Sequence, residues 1–295
     1  RIACGPNSGD YEWTDTVVKQ AGKFMHGISL HYYTVTGDWG KKGSATQFTE
    51  DDWYKTLRKT LVMEQLVTGH SQIMDRYDPE KRIGLIVDEW GTWHDVEPGT
   101  NPGFLYQQNT LRDALVAGIN LNIFNKHCSR VTMANIAQLV NLLGVIETGP
   151  TAAYGTPIYY AFKLYGEHCG DTALAAEVDC DTFDLPAVAN IPALEGVPYL
   201  SVSATLDATR GVACLAVANR HANENFTAEI TLDGVADGAP GRAWELNGPG
   251  MDARNTFDAP NRVAIREVGE VTAGPRFSYT FPAHSVTALE VPLVS

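Results

Sequence analysis

The length, composition and charge of the chain limit what it can be. It has 295 residues, 44% hydrophobic and 19% charged, which is the balance of a globular protein with one large domain or two medium ones. The net charge is −13, and no basic cluster favours nucleic acid or an anionic membrane as a partner. Residues 151–295 hold 18 acidic and 8 basic residues, so −10 of the charge lies there, and we predict two domains, at 1–170 and 171–295.

Cysteine content and the first residues bear on the compartment. Five widely spaced cysteines without a Cys-x-x-Cys pair predict neither a disulfide framework nor a metal site, and they favour a reducing, cytoplasmic location. No segment is long and apolar enough to cross a membrane, and no cofactor is predicted. The chain begins at Arg1 within a strand-like run, without Met or a signal sequence. We therefore expect it to start partway through a domain, which leaves a signal peptide further upstream open.

Strands and helices alternate in the first domain. Apolar runs that favour strands lie at residues 2–5, 27–30, 84–91 and 131–140. Helical spacing predicts a helix ending at Gly22, one long helix through Trp53, Leu57, Leu61 and Leu66 capped by Thr49 or Asp51, one through 111–122, and one from Pro157. Four such units in succession predict a parallel α/β sheet, which is half of a (β/α)8 TIM barrel.

The pattern changes after about residue 170. Runs at 199–204, 212–218, 226–232 and 285–291 alternate or are rich in β-branched residues, and Gly, Pro and Asn turns separate them. This pattern is typical of an antiparallel β-sandwich. The predicted fold is therefore α/β plus all-β, with a half barrel followed by a C-terminal, jelly-roll-like sandwich.

The run at 84–91 ends in two carboxylates, Asp88 and Glu89, followed by Trp90 and Gly91. A continuous apolar run suits a strand covered on both faces, and such a strand delivers its last side chains to the carboxyl end of the sheet. That end carries the chemistry of α/β barrels, so Glu89 is predicted to lie at a functional site. The alternative is an exposed acidic pair that ends an ordinary strand.

Polar and aromatic residues follow three of the predicted strands: His31 with Tyr33, Asp88 to Trp93, and Gln138 with Asn141. Together they suit a sugar, because aromatic faces stack on the ring, amides bind its hydroxyls and a carboxylate stabilises an oxocarbenium-like centre. Each also has a structural alternative. His31 can be a satisfied structural residue, the tryptophans can belong to the core, and Gln138 can cap a helix.

Four segments, in order along the chain, resemble one known family. They are ISLHYY at 28–33, DEWGTW at 88–93, ANIAQLVN at 134–141 and PAHSVT at 282–287. They resemble segments of the α-L-arabinofuranosidases of glycoside hydrolase family 51. The resemblance covers essentially the whole chain, and it implies barrel strands 5–8 followed by the family's C-terminal β-sandwich.

The resemblance implies roles for five residues. Glu89 matches the nucleophile of a retaining glycosidase, Tyr33 the tyrosine that hydrogen-bonds it, and His31 the histidine beside it. Trp93 matches an aromatic wall of the arabinose subsite, and Gln138 matches an amide that binds a sugar hydroxyl.

The second carboxylate of a retaining mechanism has no counterpart at a matching position. Asp88 is expected to turn away from the sugar as a supporting residue, because neighbouring strand side chains point oppositely. The family's acid/base glutamate follows an asparagine at the fourth barrel strand, whereas Asn223-Glu224 lies in the predicted sandwich. The resemblance implies that Arg1–Gly5 is the fifth strand and that the acid/base lies in a missing N-terminal half. Because retention needs two carboxyl groups about 5–5.5 Å apart, the chain alone is expected to be inactive.

The implied activity is release of terminal non-reducing α-L-arabinofuranosyl residues from arabinan, arabinoxylan or their oligosaccharides (EC 3.2.1.55). The expected partners are that saccharide and the missing half of the barrel, and homo-oligomerisation stays open. One alternative is another barrel glycosidase, such as an endoglucanase with a longer cleft. A second alternative is a non-catalytic carbohydrate-binding or interaction protein. The presence of Glu89 and its aromatic neighbours argues against this alternative.

Overall fold

The computed structural model describes residues 1–294. Its α-helices are α1 (Tyr11–Ala21), α2 (Glu50–Thr60), α3 (Val62–Tyr77), α4 (Leu111–Lys126) and α5 (Pro157–His168), with 3-10 helices at Gly22–Phe24 and Pro102–Phe104. Its strands are β1 (Ile2–Ala3), β2 (Gly27–Thr34), β3 (Gly84–Thr92), β4 (Val131–Ile136), β5 (Ile146–Thr148), β6 (Ala153–Gly155), β7 (Thr172–Leu174), β8 (Thr182–Leu185), β9 (Leu194–Pro198), β10 (Leu200–Asp207), β11 (Val212–Asn219), β12 (Phe226–Thr231), β13 (Ala239–Asn247), β14 (Ala264–Ala273), β15 (Arg276–Phe281) and β16 (Val286–Pro292). The predicted domain boundary falls between α5 and β7, and it stays a prediction.

The first four strands form one parallel sheet in the order β1-β2-β3-β4. Helix α1 connects β1 to β2, helices α2 and α3 connect β2 to β3, and helix α4 connects β3 to β4. The first four residues of β3 are buried, as expected of an apolar strand between two neighbours. The alternation predicted from the sequence therefore gives a half barrel whose carboxyl ends share one edge.

The long helix predicted around Trp53 is two helices that meet at Leu61. The hydroxyls of Thr56 and Thr60 donate to the carbonyls four residues earlier, at 2.7 and 2.8 Å, and such bonds bend helices. Thr49, rather than Asp51, caps α2. Its hydroxyl accepts the backbone N–H of Asp52, whose carboxylate accepts the N–H of Thr49, which is a capping box.

Helix α4 is buried on nearly every side because it packs between the two parts of the fold. It contacts β3 on one side and strands β10, β11 and β16 on the other. Its Asn122 lies at this junction, where it donates to the Ser201 carbonyl at 3.0 Å and accepts from the hydroxyls of Tyr165 and Ser203. A buried amide with its hydrogen bonds made fixes the position of the helix against the sandwich.

The C-terminal part is built on an antiparallel sheet in the order β14-β13-β16-β11-β10-β7, covered in part by the pair β12-β15. All four predicted β-runs form strands there. Strands β13, β14 and β15 were not predicted individually. Half of the residues of β14 are exposed, the apolar Val268 among them, so that its sequence lacks a clear apolar alternation. Among residues 1–294, none of the helices combines the length and the apolar character needed to span a bilayer.

Candidate active site

Glu89 lies near the carboxyl end of β3, opposite His31 in the register with β2. The Tyr33 hydroxyl donates to Oε1 of Glu89 at 2.7 Å. Nδ1 of His31 lies 3.1 Å from Oε2 of the same carboxylate, without the in-line geometry of a hydrogen bond. The Glu89 side chain keeps 40% of its surface exposed. The carboxylate is therefore held at one oxygen and accessible from solvent.

Tyr33 is suited to hold that carboxylate. Its side chain is buried, and burial together with the hydrogen bond to Glu89 raises the pKa of Tyr33 well above its usual value. The phenol therefore keeps its proton throughout the physiological range and acts as a donor to Glu89. A donated hydrogen bond favours a charged carboxylate and fixes its rotamer.

Strand alternation is interrupted at Asp88 and Glu89, and the expectation that Asp88 turns away from the sugar stays a prediction. The pairing of β3 with β2 and with β4 shifts register around these two residues, which marks a local bulge. As a result one imidazole contacts both carboxylates, with Nε2 of His31 3.1 Å from Oδ1 of Asp88. The supporting role assigned to Asp88 stays a prediction.

Trp93 joins an aromatic group beside Glu89. Its ring lies edge-on to Tyr33 at 5.0 Å between centroids and edge-on to Trp39 at 5.6 Å. The Lys42 ammonium lies 5.3 Å from the Trp93 ring. Trp39 is 58% exposed. It was not predicted, because its loop, GDWGKKG at 37–43, is notable in the sequence mainly for its Gly and Lys content. A tryptophan in a glycine-rich loop after a strand end was the available indication.

Trp90, by contrast, belongs to the core. It is fully buried and packs against Phe124 and Phe162 at centroid distances of 5.2 and 5.8 Å. The structural alternative therefore holds for Trp90. It anchors β3, and this anchoring positions the adjacent Glu89.

Buried charges behind the site hold the aromatic loops together, and the sequence analysis missed them. His94 Nε2 lies 2.8 Å from the Asp113 carboxylate, and Arg112 donates to the Ser44 carbonyl at 3.1 Å. Burial lowers the pKa of His94. Burial alone would raise the pKa of Asp113, but the contact with His94, the charge of Arg112 and the hydrogen bond from the Thr110 N–H lower it to about 2. The Arg112-Asp113 pair inside an otherwise apolar helix was the signal for this network.

A second anchor fixes the loop that carries Trp39. The Asp95 carboxylate accepts the backbone N–H groups of Lys42 and Gly43, both at 3.1 Å. The Asp95 N–H in turn donates to the Gly43 carbonyl at 3.0 Å. The segment that follows Trp93 and the loop after β2 are thus tied to each other.

Gln138 lies beyond the end of β4 rather than within a strand. Its side chain is exposed and makes no hydrogen bond with any residue from 1 to 294. The preceding Ala137 packs with Tyr33 and Leu143 in a small cluster bordered by Trp93. This packing brings Gln138 to the same end of the sheet as Glu89.

The arrangement defines a class of protein. A half-exposed carboxylate at the carboxyl end of a parallel α/β sheet, held by a tyrosine and bordered by tryptophans, is that of a carbohydrate-processing enzyme built on a TIM barrel. The donors and aromatic faces of this arrangement suit a sugar ring.

Comparisons with known proteins give the particular family. Residues 88–285 match the model of the α-L-arabinofuranosidase C-terminal domain. The chain is 42% identical to an intracellular exo-α-L-arabinofuranosidase of Bacteroides ovatus, over 99% of this chain and 55% of that protein. It is 28% identical to an intracellular exo-α-(1→5)-L-arabinofuranosidase of Bifidobacterium longum, over 98% of this chain and 55% of that one. It superposes on the GH51 arabinofuranosidase of Xanthomonas axonopodis pv. citri with a TM-score of 0.89 and 39% identity, covering 98% and 57% of the two chains.

The chain belongs to the α-L-arabinofuranosidase family, glycoside hydrolase family 51. It spans about half the length of the curated relatives it matches and corresponds to their C-terminal half. The family resemblance and the fold predicted from the sequence, half of a (β/α)8 barrel followed by a β-sandwich, are confirmed.

Proposed function

We propose that the full-length protein is a retaining, exo-acting α-L-arabinofuranosidase with Glu89 as its nucleophile. The observation that carries the proposal is the Tyr33–Glu89 hydrogen bond of 2.7 Å on a carboxylate that stays accessible to solvent. A nucleophile needs a fixed orientation and an unobstructed approach, and this contact supplies the first without removing the second.

The proposed reaction has two displacements. Glu89 attacks the anomeric carbon while a second carboxyl group protonates the departing oxygen, and an arabinosyl ester forms on Glu89. Water, deprotonated by that second group, then attacks the ester and releases arabinose with retained configuration. Tyr33 positions Glu89 throughout by its hydrogen bond, and His31 lies beside the other carboxylate oxygen.

The remaining site residues bind the sugar. Trp93 forms one wall of the terminal arabinose subsite, since a furanose ring offers apolar C–H surface for aromatic contact. Gln138 is exposed beside this wall, so its amide is available for a sugar hydroxyl. The names of the relatives support exo-acting release of α-L-arabinofuranosyl residues and an intracellular location. We infer arabinan, arabinoxylan or their oligosaccharides as the source of these residues.

The second carboxyl group is proposed to come from the N-terminal half of the barrel. Strands β1 and β4 are the two edges of the four-stranded sheet. Met133 on β4 is 47% exposed, whereas the first four residues of β3 are buried. Unpaired edges and exposed apolar side chains on a parallel strand support further strands packing there.

Azide rescue tests the role of Glu89. In the full-length protein, Glu89→Ala should lose activity by orders of magnitude, because no ester can form. Azide fits the space left by the carboxylate and should restore turnover of an aryl arabinofuranoside with a good leaving group. A single displacement inverts the anomeric centre, so the product should be the inverted arabinosyl azide. Near-normal activity of Glu89→Gln without azide would remove the assignment.

A further inference from the structure

A cavity of about 630 Å³ adjoins the candidate active site. It lies between the loop after β3, the segment after β4 and Phe257. Leu142 lines the cavity and also borders the cluster that contains Tyr33 and Ala137 and is flanked by Trp93. Asn141, another lining residue, closely follows Gln138 in the chain. The volume is in the range of small-molecule sites.

Glu147 is the unusual residue of this cavity. It lies on β5 opposite Tyr154 of β6 and is 5% exposed. Its Oε1 atom is buried and has no hydrogen-bond partner among residues 1–294. Burial raises the pKa of Glu147 to about 7. An unsatisfied buried carboxyl group costs free energy, so a group of this kind beside a cavity indicates a ligand that completes its hydrogen bonds.

The other walls indicate which ligand fits. Phe104 and Phe257 are 70% and 51% exposed, and Tyr106 lines the same cavity. Exposed aromatic faces beside a carboxyl group match the C–H surface and hydroxyls of a sugar. A cationic ligand would also meet a carboxyl group, but the charge of Arg254 acts on both Tyr106 and Tyr154 and opposes a second cation.

We propose that this cavity binds the sugar unit next to the terminal arabinose, with a hydroxyl of that unit hydrogen-bonded to Glu147. The inference rests on the proposed function, because it places a longer arabinofuranosyl chain across the active site. Near pH 7 the carboxyl group is shared between its acid and its charged form, so that it can donate or accept. The Glu147 charge acts on Tyr106 and Tyr154, and Glu97 and Arg254 are further charged groups that act on Tyr106.

The test compares Glu147→Leu with Glu147→Gln in the full-length protein. Leu fills the space and removes both oxygen atoms, whereas Gln keeps a donor and an acceptor at the same length. Glu147→Leu should raise KM for linear α-1,5-arabinotriose about 10-fold or more, as expected when one buried hydrogen bond is lost. Glu147→Gln should have a KM for arabinotriose close to that of the unaltered protein. p-Nitrophenyl α-L-arabinofuranoside has no second sugar. For this substrate, kcat/KM of both variants should lie within about twofold of that of the unaltered protein.

The control and the contrary outcomes are distinct. Glu80→Leu removes a 75% exposed carboxylate that precedes β3 and should change neither substrate. An equal loss on both substrates, or no loss on either, would overturn the subsite. If the unaltered protein fails to cleave the aryl substrate, the proposed function is wrong, and calorimetric titration with arabinotriose decides the subsite. Unchanged affinity in Glu147→Leu would then overturn it, and about 10-fold weaker binding would support it.

Discussion

At the scale of single residues, the contact between Tyr33 and Glu89 joins stability to chemistry. The Tyr33 ring packs against Trp93 and Ala137, while its hydroxyl reaches Oε1 of Glu89 at 2.7 Å. The ring therefore belongs to the fold and the hydroxyl to the site. Because these two contributions come from different atoms, a substitution that removes only one of them separates the roles.

Tyr33→Phe in the full-length protein keeps the ring and removes the donor. We expect kcat/KM to fall about 10- to 100-fold, the range for losing a hydrogen bond to a charged group. The free energy of unfolding should change by no more than about 1 kcal/mol. Steady-state kinetics and urea unfolding of the same preparations give both numbers.

Tyr32→Phe is the matched control for this prediction. The neighbouring Tyr32 hydroxyl donates to the Lys59 carbonyl at 2.7 Å, at the joint between α2 and α3 and away from Glu89. Its loss should lower stability and leave catalysis intact. If Tyr33→Phe behaves in the same way, Tyr33 is a core residue and not a positioning residue.

Trp93 and Trp90 offer a second test at this scale. Trp93→Ala should raise KM for aryl arabinofuranosides several-fold while the protein stays folded, because its ring is partly exposed beside Tyr33. Trp90→Ala removes a fully buried ring and should cost about 3–5 kcal/mol of stability. Kinetics of Trp93→Ala that match those of the unaltered protein would place Trp93 in structural packing.

At the scale of elements, the site depends on how β3 is held. Trp90 anchors the strand in the core, and the adjacent bulge turns both carboxylates toward His31. Behind the strand, the contact of His94 with Asp113 joins the segment after β3 to helix α4. These contacts hold β3 and the segment after it in one position, so Glu89 is presented from a rigid strand, as precise catalytic geometry requires.

Asp113→Asn should weaken the contact between the segment after β3 and helix α4, and so lower the free energy of unfolding. The Asp113 charge acts on the buried Arg112, and its carboxylate is hydrogen-bonded to His94, so removing the charge is expected to cost about 3–5 kcal/mol of stability. The pKa of Asp113 is lowered from 3.8 to about 2 in the folded protein. Its contribution is therefore fully present above pH 3.8 and is lost as the pH falls through about 2.

Urea unfolding between pH 2 and pH 5 measures this prediction. The difference in the free energy of unfolding between the unaltered protein and Asp113→Asn should become smaller as the pH falls toward 2. Asp51→Asn is the control, since Asp51 is 63% exposed in its pair with Lys55 and should change stability little. If the difference in the free energy of unfolding stays constant with pH, Asp113 is not charged in the folded protein.

Local sequence patterns predicted the elements with strong periodicity. The apolar run before Asp88 gave β3, and Pro157 gave the start of α5. The sequence did not predict the break at Leu61, because it comes from threonine hydroxyls that compete for helix carbonyls. The bulge beside Glu89 was also missed, since it arises from pairing with two neighbouring strands.

For the candidate site, the sequence indicated the residues that follow strand ends in recognisable motifs, but not those that depend on contacts between loops. Glu89, Tyr33 and His31 lie together at the carboxyl end of the sheet, with the Tyr33 hydroxyl 2.7 Å from Glu89, and their roles stay predictions. Trp39 and the Asp95 anchor were missed because they depend on how two loops meet, and such contacts leave no periodic pattern in the sequence.

At the scale of the whole molecule, helix α4 makes the half barrel and the sandwich share one core. Its apolar residues pack with those of β3, β11 and β16 in a single cluster, and Asn122 donates to the Ser201 carbonyl of β10 across the junction. The sandwich therefore supports the barrel strands from one side. Within residues 1–294, β1 and β4 each pair with a single neighbour in the parallel sheet.

Residues 1–295, expressed alone, should not hydrolyse arabinofuranosides at a rate comparable to the full-length enzyme. Proton donation to the leaving oxygen contributes about 10²- to 10⁴-fold, and the matching carboxyl group is proposed to lie in the N-terminal half. Unpaired sheet edges should also favour aggregation or association. The assay compares p-nitrophenyl α-L-arabinofuranoside turnover with and without the N-terminal half, alongside the oligomeric state in solution.

Activity that appears only on mixing supports a catalytic pair divided between the two halves. Full activity from the isolated monomer would contradict the proposal and assign the acid role to a carboxylate of this chain. Glu97 is the first to substitute in that case, because it lies in the loop after Trp93, where Oε1 accepts the Gln108 N–H at 3.2 Å.

Mass spectrometry of a trapped intermediate tests the role of Glu89 most directly. The full-length protein is incubated with a 2-deoxy-2-fluoro-arabinofuranosyl substrate that carries a good leaving group. The fluorine destabilises both oxocarbenium-like transition states, and the leaving group restores the first step, so the glycosyl-enzyme should accumulate. We predict a mass increase of one fluorosugar, located by peptide mapping on Glu89. A label on another carboxylate, such as Asp88, would contradict the assignment, as would turnover with retention and no label.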